Sequence, residues 1–318
     1  MKQLRTEDIL KKNKIYRDSL DSTIVSNDQL YIRSLSTKSL GFRINSSNVG
    51  LCAEQLFNIF FAKANVSNET KQRFITKFKE AVNGSGKEIK KINALHSSSL
   101  CAFLFFFDVS EEKPIYIDGI KYDEVYFEVQ NTAIEGRAPS NMDVVLISSK
   151  SNEILFIECK FSEYISNQAQ MVSREYFNNT LSKELYESVK DLYNKLPCKD
   201  DDYEKIKFKD AYSQGIKQII SHILGMTSYI ENGQSFDQRL KKIYPTIKFR
   251  ELLFSLKGYE KKLNGYLELS KIALNRFKSI IKDEIKLYDA MTYKELYEQN
   301  EAYFKNKELI KQFYRLEA

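Results

Sequence analysis

MDVVLISSKSNEILFIECKF, residues 142–161, consists of two apolar runs joined by the polar turn Ser149-Lys150-Ser151-Asn152. Both faces of each run are apolar, as in strands covered on both sides, so the pattern predicts a β-hairpin at the centre of a sheet. A four-residue turn makes the pairing symmetric: 147 faces 154, 145 faces 156, and 143 faces 158. Asp143 then stands opposite Glu158, with cross-strand Cβ atoms about 4.5–5.5 Å apart. Lys160, two residues further on, projects from the same face as Glu158.

Like charges directly across a ladder repel, and folding alone has no use for two carboxylates beside Phe156 and Ile157. A divalent cation resolves that repulsion. Two carboxylates completed by water and substrate oxygens suit Mg²⁺ or Mn²⁺, hard ions that prefer oxygen. Only two histidines are present, and Cys52, Cys101, Cys159 and Cys198 are scattered without a CxxC pair, which argues against a zinc site or a disulfide framework.

Outward from the hairpin, YIDGIKYDEVYFEVQ (116–130) has a turn at Asp118-Gly119 followed by alternation, which predicts a hairpin or the first main strand. Before it, residues 88–107 end in LCAFLFFF, too apolar for a surface helix, and predict a buried one. Helices are predicted over 48–64, with Leu51, Leu56, Ile59 and Phe60 on the inner face and Ser46 or Ser47 as cap, and over 68–82, capped by Ser67 or Asn68. NGSGK (83–87) lacks the first glycine and the final Ser or Thr of a phosphate loop and reads as a turn.

After the hairpin come a polar helical region at 166–195, the acidic loop CKDDDYEK, and an amphipathic helix from about 204 to 231 that packs Ile216, Ile219, Ile220, Ile223 and Leu224 on the sheet. A strand near 248–256, a helix over about 262–281, a short strand at 285–290 and terminal helices complete the reading. Residues 1–45 form an N-terminal extension, and 46–318 are expected to make one domain around a core of about 90–230.

Of the 318 residues 42% are apolar and 29% charged, a composition that folds. The net charge of +6, from 49 basic and 43 acidic residues, permits a polyanionic partner without requiring one. MKQLRTEDILKKNK has no apolar core for a signal peptide, and no run of about 18 apolar residues occurs, so no membrane association is expected and a cytoplasmic location is.

Pro139-Ser140-Asn141-Met142-Asp143 followed by Glu158-Cys159-Lys160 resembles the PD-(D/E)XK nuclease superfamily, although the proline lies four residues before the aspartate. The surrounding order, with GR-x-PSN-x-D, ECKFSE and a helix bearing QGIKQ, resembles bacterial restriction endonucleases of that superfamily over about residues 90–230. The resemblance implies an α/β, restriction-endonuclease-like fold: a mixed central β-sheet flanked by helices, with helical N- and C-terminal additions. It also implies Mg²⁺- or Mn²⁺-dependent phosphodiester hydrolysis, with DNA as the expected nucleic-acid partner and a homodimer as one arrangement. In that scheme Asp143 and Glu158 bind the metal, the Cys159 carbonyl adds a ligand, and Lys160 orients or deprotonates the attacking water.

Supporting candidates each have a plainer reading. Glu128 is within reach of the metal or makes a salt bridge at the core edge; Arg137 binds a phosphate or pairs with Glu163. Gln214, Gln218 and His222 share one helix face, near the site or simply solvated. Glu54 and His96 offer a further acid or structural groups. The basic clusters at 87–91, 239–244 and 259–263 contact phosphates or serve solubility. The competing functions are a catalytically silent nucleic-acid-binding protein on the same fold, and a nuclease acting on RNA or branched DNA.

Overall fold

The computed structural model describes residues 49–61, 64, 66–82, 97–165, 169–209, 214–232, 237–240 and 244–317. The N-terminal extension, the Ser46 and Ser47 caps, NGSGK and His96 lie outside these residues.

Strands β4 (Ser140–Ser148) and β5 (Glu153–Lys160) pair antiparallel from Ser148↔Glu153 to Val144↔Ile157, the register that a four-residue turn imposes. Ahead of them, β1 (Ile115–Ile117) and β2 (Ile120–Tyr122) make a small hairpin. Its Asp118 and Gly119, at φ +52° and +76°, supply the left-handed pair that a tight two-residue turn needs. Strand β3 (Glu124–Asn131) then pairs with β4. On the other side of β5 lies β9 (Thr246–Leu253), parallel to it, and β10 (Ile285–Leu287) and β11 (Met291–Thr292) both run parallel to β9. The result is a six-stranded mixed sheet in the order β10-β9-β5-β4-β3, with β11 also on β9. All eight residues of β5 are buried, which is why its sequence shows no polar face.

Alternate residues of β4 and β5 serve two cores. Val145, Ile147, Ile154 and Phe156 face helix α6 (Gln214–Asn232), which presents Ile216, Ile219, Ile220 and Ile223 to them. Val144, Leu146, Leu155 and Ile157 face a phenylalanine-rich layer built by α1 (Val49–Phe61), α2 (Asn68–Ala81) and α3 (Ser98–Phe106). Phe74 of α2 lies 4.8 Å from Phe103, 4.9 Å from Phe107 and 5.4 Å from Phe57, each edge to face. Such pairs add about 0.5–1.5 kcal/mol each beyond their buried area. Helices α7 (Glu260–Phe277), α8 (Tyr293–Gln299) and α9 (Glu308–Phe313) close the C-terminal part. The protein is thus a mixed α/β fold with a central mixed sheet flanked by helices.

Two expectations are corrected. Residues 169–209 form a second, three-stranded sheet, β6 (Gln170–Ser173), β8 (Tyr203–Phe208) and β7 (Tyr193–Leu196), with short helices α4 (Arg174–Asn178) and α5 (Thr180–Ser188) between β6 and β7. The helix predicted from 204 therefore begins at Gln214: in YEKIKF every second residue at the end is buried, Ile206 and Phe208, a period of 2. On α1, Leu51 is 60% exposed and shares its face with Glu54 and Asn58, while Cys52, Leu56 and Phe60 form the buried stripe. Among the described residues no helix is long and apolar enough to cross a membrane.

Helix α6 can reach the sheet beside α7 because residue 215 has no side chain. A Cβ there would meet the Tyr266 hydroxyl at 1.8 Å. Tyr266 cannot readily move aside, since it is buried and donates to Glu251 Oε1 at 2.6 Å. Gly215→Ala is expected to lower stability by about 1–3 kcal/mol, the usual cost of overpacking. Thermal melts check this, and an unchanged melting temperature would show that the Tyr266 anchor gives way freely.

Candidate active site

Where β4 and β5 stop pairing, the sheet carries a row of acids. Glu158 is the Cα partner of Glu251 on β9. One step past Val144↔Ile157, Asp143 stands across from Glu158, and the β3–β4 register puts Glu128 across from Asp143, between Phe127↔Val144 and Val129↔Met142. Glu158 and Glu251 start from the α6 side, in step with Phe156 and Phe249, whereas the alternation breaks at Asp143 and Glu128, whose neighbours Met142 and Val129 face the α6 core and Val144 and Phe127 the other. Three are buried, Glu128, Glu158 and Glu251, while Asp143 keeps a partial opening to solvent.

Glu158 meets three donors, which leaves Oε2 a lone pair. Its Oε1 accepts from Lys160 Nζ and, at 2.8 Å, from Gln218 Nε2; its Oε2 lies 2.9 Å from His222 Nε2. Gln218 Oε1 in turn accepts from Lys160 Nζ at 2.6 Å, so these groups form a closed ring. His222 Nδ1 is 2.6 Å from Ser140 Oγ; in the neutral ring Nε2 donates to Glu158 and Nδ1 accepts the Ser140 hydroxyl. Against the burial that favours a neutral acid, the charge of Lys160 and the His222 contact hold the Glu158 pKa down at about 2. Although burial opposes its charge, Lys160 is raised by Glu158 and stays protonated.

Asp143 has the opposite balance. Burial, then the charges of Glu158 and Glu128, push its pKa well above the usual aspartate value, and Lys160 offsets this only in part. Its Oδ2 accepts from the Cys159 N–H at 2.7 Å. Glu251, which the sequence reading missed, accepts from Tyr266 and Ser270 at 2.6 and 2.7 Å, and burial raises its pKa. The signal was an acid inside the apolar strand KFRELLF.

Glu128 adopts φ +50°, a left-handed conformation that costs a non-glycine residue about 1–3 kcal/mol and persists only when its surroundings impose it. Here Arg239 imposes it. The guanidinium donates to the carbonyls of Phe127 and Glu128 at 2.9 and 3.2 Å, and is itself held by Asp237 and by Glu80 at 2.8 Å. Glu80 also accepts the Phe127 N–H at 2.9 Å. Arg239, part of a basic cluster read from sequence as contacting phosphates or serving solubility, is thus a backbone clamp. Asn141 reaches Glu128 Oε2 at 3.4 Å.

Arg137 and Glu54 do not join the group. Arg137 pairs with Glu175 at the surface, not with Glu163, whose carboxylate accepts the N–H groups of Phe161 and Ser162 at 2.7 and 2.8 Å. Glu54 is exposed on α1. Gln214 begins α6, and its side chain lies outside the described set.

Among the described residues no three His, Cys, Asp or Glu side chains form a ready-made metal cage. The donor chemistry nevertheless fits a hard divalent ion. Asp143 is an under-compensated carboxylate beside a second carboxylate, and Mg²⁺ commonly takes one or two protein carboxylates and fills its shell with water and phosphate oxygens.

A mixed α/β sheet carrying an acid on one strand and Glu-x-Lys on the next is the arrangement of a restriction-endonuclease-like protein. A family model described as "Restriction Endonuclease associating with ARP" matches residues 55–315, and the chain belongs to that family. No curated protein and no solved structure matches it.

The two central acids are expected to respond oppositely to neutralisation. Asp143→Asn keeps the acceptor for the Cys159 N–H and removes repulsion, so the metal-free variant is expected to gain about 0.5–1 kcal/mol at neutral pH. A carboxyl whose folded pKa exceeds its unfolded one costs stability when ionised. That cost shrinks as pH falls through the folded value and is gone below about 3.9, so the gain should vanish in acid. Glu158→Gln strips a buried lysine of its countercharge and is expected to cost about 3–5 kcal/mol. Melts of the three proteins in chelator, from neutral pH downward, check the ranking; a destabilised Asp143→Asn would make Asp143 a structural partner of Lys160.

Proposed function

We propose that this protein is a metal-dependent endonuclease of the PD-(D/E)XK type, hydrolysing phosphodiester bonds in DNA in restriction or a related defence role. The observation that carries the reading is the unequal pair: Glu158 with its charge met by Lys160 and further held by Gln218 and His222, and Asp143 beside it without a matching cation. A folding role explains the first acid and leaves the second unexplained.

In this reading Asp143 and Glu158 hold Mg²⁺ or Mn²⁺, with the Cys159 carbonyl as a further ligand and Glu128 near enough to take part. The ion lowers the pKa of bound water and polarises the phosphate. Lys160 carries the chain's own share of the chemistry. Its ammonium orients the attacking water and offsets the charge that develops on the phosphate oxygens, in a site dry enough for one charge to count. Gln218 bridges Lys160 and Glu158 and so fixes the lysine's rotamer; His222, braced by Ser140, fixes the Glu158 carboxylate. These contacts keep the machinery within the small geometric tolerance that catalysis allows.

The test is incubation of the purified protein with linear, circular and single-stranded DNA and with RNA, in Mg²⁺, in Mn²⁺ and in chelator. Cleavage of DNA in either metal and none in chelator is expected. Asp143→Asn, folded and at least as stable, and Lys160→Ala are both expected to lose cleavage by about a hundredfold or more. DNA binding by Lys160→Ala should stay within about tenfold, because one lysine adds little to a many-phosphate interface. Binding without cleavage in every metal would support a silent scaffold, and cleavage of RNA alone would move the substrate class.

A further inference from the structure

On the sheet face opposite Glu158, a cavity of about 260 Å³ lies between the end of α1, the first turn of α2, the segment after α3 and the segment joining α8 to α9. Lys307 lines it. That lysine is 2% exposed, and its Nζ has no hydrogen-bond partner among the described residues. The rings of Tyr303, Phe107 and Phe304 lie 3.5, 4.8 and 5.4 Å from the nitrogen. Asp108, the acid that acts on it, is bonded instead to Lys113 at 2.7 Å and to Arg73 at 3.3 Å.

Ring faces attract a cation by about 0.5–2 kcal/mol each. Taking an unpaired ammonium out of water costs several kcal/mol, and rings offer little to three N–H groups that want acceptors. Burial accordingly holds the Lys307 pKa well below that of a free lysine. A fold with no use for the charge is better served by methionine at this position. What the amine lacks is an acceptor carrying negative charge, and the cavity gives such an acceptor room.

We propose that this cavity binds a small organic anion through a carboxylate or phosphate group placed at Lys307, with Lys113 and the Thr70 hydroxyl as further donors. Lys113 Nζ and Thr70 Oγ1 stand 3.5 Å apart on the same wall. The body of the ligand lies against Phe61, Val66 and Pro114, an apolar wall that inorganic phosphate alone would leave uncovered. Asp108 and Glu112 share the lining, but Arg73 reaches both and Lys113 pairs with Asp108, which leaves the Lys307 amine as the group there that lacks an acceptor. The site belongs to the phenylalanine-rich core face, whereas Glu158 and Lys160 face α6, so it stands or falls independently of the nuclease reading.

Calorimetric titration of the full chain near pH 7.5 with inorganic phosphate, acetate, benzoate and adenosine monophosphate, in two buffers of different ionisation heat, tests this. At least one of benzoate and adenosine monophosphate is expected to bind more tightly than phosphate or acetate and to raise the melting temperature. Which of the two prevails identifies the acidic group. Binding should also take up protons, because the anion stabilises protonated Lys307. Lys307→Met keeps the stem, should fold at least as stably without ligand, and should weaken binding by about tenfold or more through loss of a charged hydrogen bond. Failure of every probe to bind, or equal binding by Lys307→Met, overturns the proposal. Should that variant not fold, the wild type decides alone: benzoate and adenosine monophosphate both binding no more tightly than phosphate and acetate overturns it.

Discussion

The contact between β5 and α6 through the Glu158 carboxylate is the constraint on which the rest of the site depends. A carboxylate this deeply buried is tolerated only with its charge met, and the donors come from its own strand, through Lys160, and from successive turns of one helix, through Gln218 and His222. The helix can supply them only because its apolar stripe, Ile216, Ile219, Ile220 and Ile223, fixes its roll against the sheet. Packing sets the angle of α6, and the polar ring depends on that angle. A hydrophobic replacement of the whole ring would fold equally well in principle, so stability alone does not account for it.

Beside that ring the sheet departs from regularity where Asp143 and Glu128 meet. The left-handed residue at 128 interrupts the β3–β4 ladder, and the carbonyls on either side are taken by Arg239. Helix α2 supports the same point through Glu80, which engages both Arg239 and the Phe127 N–H. The phenylalanine layer that seats α2 therefore reaches, through one glutamate and one arginine, the backbone beside the candidate metal ligand. The strain at Glu128 is held here by identifiable bonds.

How much was legible in the sequence follows from how local each signal is. The hairpin register was readable because a four-residue turn and period-2 burial over-determine it, and Asp143, Glu158 and Lys160 came with it. Ser67 capping α2, the Asp118-Gly119 turn and the apolar stripe of α6 were legible for the same reason. The second sheet was not: β6 and β7 have four residues each, too few for alternation to stand out, and β8 abuts the helix pattern that follows it. Arg239 and Glu251 escaped because their meaning is set by partners far along the chain, Glu80 and the Phe127 carbonyl for one, Tyr266 and Ser270 for the other. A charge cluster in one dimension does not say which charges a fold will consume.

The placement of the small β6-β8-β7 sheet carries a further consequence. It occupies the stretch between Lys160 at the end of β5 and the helix that supplies Gln218 and His222, so residues that touch in the finished site are about sixty positions apart in the chain. The hairpin closes over a four-residue turn and has low contact order, whereas the polar ring must wait for a long loop to close. Newly made chain should thus present a formed β4–β5 pair in which Glu158 has Lys160 beside it but has not yet met Gln218 and His222. Insertions or losses within residues 169–209 would also reach the helix itself, because Val172, Leu185, Ile206 and Phe208 are buried in the same core as the α6 stripe that sets its roll.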